Sequence, residues 1–195
     1  MGIDDIGLKV DWRASQAAGD DDFNVAVDTD ASGNVYAAGT TGADDSGNGA
    51  FGPISSDLSE TYVVSYDASG DVLWADQFGN GKSVEARDIA VTDDGDVYVL
   101  ARAQLEIVEG ASTQFLGPLV FGDQGTADLV LLKYSANGER QWAEQFGSSG
   151  DDKPIALTLA ENGDILVAGV ATGALSEAGV EGERPDFGVW RFVDD

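Results

Sequence analysis

Seven residues, Asp28-Thr29-Asp30-Ala31-Ser32-Gly33-Asn34, carry the opening of a calcium loop: side-chain oxygens at the first, third and fifth places and glycine at the sixth. Asp28, Asp30 and Ser32 are the candidate ligands, and calcium is the cation they would take. Two features weaken the match. Gly39 stands at the twelfth place, where such loops need a bidentate acid, and Asp, Ser and Asn also build turns on their own backbone without metal. The turn also reads as two residues longer than its counterpart, Thr92-Asp93-Asp94-Gly95.

Two acidic clusters, Asp20-Asp21-Asp22 and Asp151-Asp152, lie in Gly-rich connections. Carboxylates this close either gather a cation or stay solvated, and the setting favours solvation. A glycosidase or lyase needs one desolvated carboxyl beside an ionised one, which adjacent aspartates on wet loops do not supply. Trp12, Trp74 and Trp142 could form a platform for sugars, but their regular placement points instead to packing between repeated units. Trp190 stands where Leu132 and Val64 stand in the other units and reads as core.

Composition closes other routes. Cysteine and histidine are both absent, which excludes disulfides and thiolate sites and removes the commonest general base. A net charge of −26 argues against nucleic acid and anionic membranes as partners. The excess of acid suits either work in high salt, where self-repulsion is screened, or carboxylates that hold divalent cations. No apolar run is long enough for membrane insertion, and residues 1–5 show no secretory leader.

The elements that position these residues recur. Trp74-Ala75-Asp76-Gln77-Phe78-Gly79 returns as Trp142-Ala143-Glu144-Gln145-Phe146-Gly147. After each tryptophan comes a Gly/Asp-rich connection, then an alternating strand (Val25-Ala26-Val27, Ile89-Ala90-Val91, Leu157-Thr158-Leu159). A tight turn closes on Gly33, Gly95 or Gly163, and a second strand follows. A long variable stretch leads to a third strand, and a turn at Gly70 or Gly138 feeds the strand bearing the tryptophan. The expected fold is therefore all-β: β-propeller blades of four antiparallel strands, three blades per chain, in one domain. The blades run approximately over 23–78, 86–146 and 154–193.

The combination W-A-x-Q-F-G, Gly-Asp-Asp, I-A-V, G-N-V-Y and D-x-V-x-x-K-Y-x-x-x-G resembles the bacterial β-propeller repeat of the SBBP type, with Ala86–Gly147 nearest the pattern. The resemblance implies a propeller and a surface or secreted setting, and it brings no catalytic residues.

Such rings need about four to eight blades, and the third unit lacks its own fourth strand. A strand at 8–14, around Trp12, is left over to supply one. The arrangement expected is a homodimer in which each 8–14 strand completes the partner's third blade, giving a six-bladed ring with no open edge; the alternatives are a fragment of a longer array and a self-closed three-blade ring. The long loops, approximately 40–59, 103–127 and 170–185, leave the same strand of each unit and share one face. A glycan or protein ligand would bind there. In function the chain reads as a non-catalytic module for binding or assembly, extracellular or at the cell surface. The alternatives are an Asp/Glu-dependent glycosidase or lyase and a purely structural unit of a surface assembly.

Overall fold

The computed structural model describes residues 13, 23–42, 51, 59–79, 84–104, 127–148, 150–173 and 186–194. Within them the chain forms eleven strands and no helix, and no helix is long and apolar enough to cross a membrane. Sheet one holds β1 (Phe23–Thr29), β2 (Val35–Gly42), β3 (Ser59–Tyr66) and β4 (Val72–Phe78), hydrogen-bonded in chain order. Sheet two repeats that order with β5 (Val84–Val91), β6 (Val97–Gln104), β7 (Ala127–Tyr134) and β8 (Arg140–Phe146). Sheet three has β9 (Lys153–Leu159), β10 (Ile165–Ala171) and β11 (Asp186–Phe192), with β11 at its outer edge. All neighbours pair antiparallel. Apart from residue 13, the strand proposed at 8–14, together with Trp12 and Asp20–Asp22, lies outside the described residues, as does most of each long loop.

Five short turns link the strands, and all five are closed in the same way. The glycine N–H of Gly33, Gly70, Gly95, Gly138 and Gly163 donates to the carbonyl three residues earlier. Each of these glycines has a positive φ, between +81° and +91°, which a side chain resists. The expected extra length of the first turn is not there: Gly33 reaches back to Asp30 just as Gly95 reaches back to Thr92. The sequence alignment of β1 is therefore displaced by two residues. Val27 lies opposite Ala37 as Ile89 lies opposite Val99, so Val27, not Val25, is the counterpart of Ile89.

The sheets stack face to face, and the first strand of each is the contact element: β5 lies against β1, β2 and β3, and β9 against β5, β6 and β7. Two apolar clusters fill the seams. The first joins Tyr36, Ala38, Val63 and Phe78 of sheet one to Ile89, Val99, Val130 and Leu132 of sheet two. The second joins Tyr98, Leu100, Leu129 and Leu131 of sheet two to Leu157, Ile165 and Val167 of sheet three. Sequence alternation explains the division, because successive residues of a strand supply opposite faces and central sheets are covered on both. β7 reads Ala-Asp-Leu-Val-Leu-Leu and is buried on both sides.

Trp74 shows how a turn glycine and a seam depend on each other. Its ring stacks on Tyr134 across the seam, 5.8 Å between centroids and 23° from parallel, and its Nε1–H donates to the Ala136 carbonyl at 3.0 Å. A Cβ on Gly138 would come within 2.6 Å of that ring, whereas one on Gly163 would meet nothing within 4 Å. Gly163→Ala should therefore cost only the left-handed strain of about 1–2 kcal/mol. Gly138→Ala should cost about 1–3 kcal/mol more, because the tryptophan must shift. Equilibrium urea unfolding of the two variants measures the difference.

Candidate functional site

The polar side chains gather along the two seams, and the innermost of them answer a backbone problem. β1, β5 and β9 are edge strands, so their outward N–H groups have no ladder partner. Asp28 takes the N–H of Thr29 on one oxygen and the N–H of Val91, in the next sheet, on the other, both at 2.8 Å. Asp88 does the same one seam later, accepting from Ile89 at 2.9 Å and from Leu157 at 2.7 Å. A carboxylate suits the place because its charged hydrogen bonds are stronger than a neutral acceptor's.

Asp28 therefore points across a seam, while Asp30 folds into its own turn. Asp30 accepts from the N–H groups of Ser32 and Asn34, each at 2.9 Å, and from Asn34 Nδ2 and the Tyr36 hydroxyl at 2.7 and 3.1 Å. Desolvation pushes its carboxyl up, but these donors outweigh it and hold the group below the usual carboxylate value. Asp67 plays the same part in the β3–β4 turn, accepting from Ser69 and Asp71, where no calcium pattern exists. Ser32 is exposed. Asp28 is thus engaged by backbone across the seam and Asp30 by the donors of its own turn. Among the described residues no group of three or more His, Cys, Asp or Glu is placed to hold a metal.

At the outer margin each seam has a carboxylate with basic and phenolic partners. Asp76 Oδ2 accepts from the Tyr134 hydroxyl at 2.9 Å and from Arg140 Nη2 at 2.6 Å. Burial, reinforced by Asp76, drives the Tyr134 hydroxyl well above the ordinary phenol value. Across the second seam, Asp194 accepts from Lys133 Nζ at 2.6 Å, the Tyr98 hydroxyl at 2.7 Å and Trp142 Nε1 at 3.2 Å. Burial and the Asp194 carboxylate push Tyr98 up to about 12. For Asp194 itself burial acts upward, but the bonds from Lys133 and Tyr98 prevail and depress it.

A third group sits where β8 leads into β9. Asp152 is fully buried and accepts from the Ser148 N–H, from Ser148 Oγ at 2.6 Å and from the Thr172 N–H at 3.0 Å. Arg102 pairs with Asp151 and donates through Nε to the Asp152 carbonyl at 3.2 Å. The expectation of a solvated acidic loop fails for Asp152, because the loop's own donors and Thr172 replace water around it. Beside it, Gln145 Nε2 donates to buried Asp128 at 2.8 Å, and a Cβ on Gly147 would meet both Asp128 and Asp152. Sheet one repeats the acid–amide pair: Gln77 Nε2 donates to Glu60 at 2.9 Å, with Gly79 against Glu60.

The sequence reading missed that pair, although its glutamine is one of the five letters shared by both copies of W-A-x-Q-F-G. Trp74 and Trp142 are partly buried in the seams, their indole N–H groups engaged, and so offer no free sugar platform. Trp190 packs into the second seam, 5.5 Å from Phe146 and over Gly188 and Gly169, in keeping with core. Taken together, these carboxylates accept from the protein's own donors and join sheets, strands and turns.

No protein-family model matches the chain. It is 30% identical over 111 residues to the regulatory protein FlaEY of Caulobacter vibrioides. The match covers 57% of this chain and 11% of that protein, so the chain corresponds to a small part of its relative's length.

Two outcomes follow from this geometry. Asp30→Ala should cost about 1–3 kcal/mol, and by the same amount in chelator and in calcium, as urea unfolding in both buffers will show. Asp194 is held ionised below its unfolded value of about 3.9, so the stability it supplies is complete above that pH and fades as pH falls through the depressed folded value. Asp194→Asn should cost about 1–3 kcal/mol near neutrality and should flatten the loss of stability on acidification below about pH 4.

Proposed function

We propose that the chain is a non-catalytic β-propeller module for binding or assembly, working outside the cytoplasm or at the cell surface. The observation that carries this reading is the stacking of successive antiparallel sheets through their first strands, β1, β5 and β9, with the same strand order in sheets one and two. Sheets that pack this way place their first strands around a common axis, as blades do. The third sheet, with β11 at its edge, would be completed by a fourth strand from residues 8–14 of a second copy, so that two chains close a six-bladed ring. Ligands, glycan or protein, would meet the face of the long loops. The resemblance to SBBP-type repeats supports both the ring and the extracellular setting.

The engagement of the seam carboxylates favours this reading over a glycosidase or lyase. Among the described residues, Asp128 and Asp152 are the nearest approach to a buried carboxylate pair. Each is tied to residues that build the fold, and the matching Glu60–Gln77 pair marks the arrangement as architecture. A surface-assembly unit remains a form of the same proposal, distinguished by particle size. Electron-microscopic class averages of the purified protein should show rings of six sectors around a central channel. Open arcs or rods would overturn the ring.

A further inference from the structure

The two ends of the three-sheet stack expose apolar residues at positions that are buried at both internal seams. On β11, Phe187 is 89% and Val189 76% exposed. Their counterparts by register are Thr61 and Val63 on β3 and Leu129 and Leu131 on β7, all fully buried beneath the following sheet. At the other end, Val27 on β1 is 68% exposed, whereas its counterparts Ile89 and Leu157 are buried beneath the preceding sheet. Each internal seam joins these two kinds of position. One apolar cluster contains Val63 with Ile89, and the other contains Leu129 and Leu131 with Leu157. The third strand of one sheet meets the first strand of the next, β3 with β5 and β7 with β9.

We infer that β11 of one chain docks on β1 of a second copy, with Phe187 and Val189 covering Val27, and that the same joint forms twice in a closed dimer. The inference rests on the ring proposed above and assigns its subunit joint. Two further features fit. The β9 residues that match Asp28 and Asp88 are Thr158 and Ala156, so sheet three carries no carboxylate to take the next strand's N–H. The joint between copies is thus held by apolar burial, unlike the carboxylate-stitched seams within a chain. On the matching face of sheet one β2 and β3 are already covered, with Ala37, Tyr62 and Val64 buried and Phe51 packed on Tyr62 at 5.6 Å, which leaves Val27 of β1 open. A head-to-tail joint that closes after two copies leaves no exposed end, whereas one that does not close would build filaments.

Light scattering after size exclusion, over a wide concentration range, tests this with Val27→Asp and Val189→Asp. Both sites are exposed in the single chain, so each variant keeps its fold, which circular dichroism and melting will verify. Wild-type protein should run at twice the 20.2 kDa chain mass, and each variant at the chain mass, with dissociation constants raised at least about a hundredfold, as burying an unpaired carboxylate demands. An equimolar mixture of the two variants should associate more tightly than either alone but more weakly than wild type, because one joint, Val189 of the first on Val27 of the second, is intact while the other sets two aspartates together. A dimer that survives Val27→Asp overturns the head-to-tail joint, and leaves the assembly reading standing. Wild-type protein that stays at 20.2 kDa at every concentration overturns both.

Discussion

An edge strand that must lie against another sheet rather than pair with it has a row of N–H groups with nowhere to go. That constraint governs β5 and β9. They lie against the preceding sheet without pairing to it, so that sheet offers their free edge no ladder bonding. An unmade backbone bond there costs about 1–3 kcal/mol, enough to matter in a fold whose net stability is of the order of 10 kcal/mol. Asp28 and Asp88 resolve it. Each side chain is short enough to bond its own next N–H and long enough to reach the equivalent N–H of the next first strand.

The rest of each seam is graded outward from that line. The middle is apolar, built from alternate residues of β2, β3, β6 and β7. The outer margin is again polar, with Asp76 and Asp194 holding tyrosine and a basic side chain from the strands beside them. The preference for aspartate over glutamate in this acidic chain has a structural component here. Asp28, Asp30, Asp67 and Asp88 bond backbone within a few residues of themselves, which the extra methylene of glutamate would spoil. A large negative charge thus coexists with carboxylates engaged one by one by protein donors.

The strands and turns were legible because their signals are local. Alternation fixes which residues share a face, and a glycine at each turn tip marks the reversal. The expected turns at Gly33, Gly70, Gly95, Gly138 and Gly163 are all present. Contacts between sheets were not legible in the same way. Asp28, Asp30 and Ser32 have the spacing of a cation loop, and nothing near them in the sequence signals that Val91, sixty-three residues on, offers Asp28 an N–H. Asp152 looked wet because its neighbours are glycine, serine and aspartate. It is buried because Thr172, brought from β10, closes over it. The shift of β1 by two residues had a similar origin: Val25 and Val27 are both plausible matches for Ile89 until pairing with Ala37 decides. Only the tryptophan motif carried long-range information in the sequence, through its repetition, and it led to the seams.

Native-state hydrogen exchange at the amides of Val91 and Leu157 bears most directly on the claim that carboxylates stitch the first strands together. Both N–H groups lie on strand edges that have no ladder partner. The account predicts protection as high as that of ladder amides such as Val99 and Val167, reduced at Val91 by Asp28→Ala and at Leu157 by Asp88→Ala. Exchange at the rate of open edge amides in the unaltered protein would contradict it.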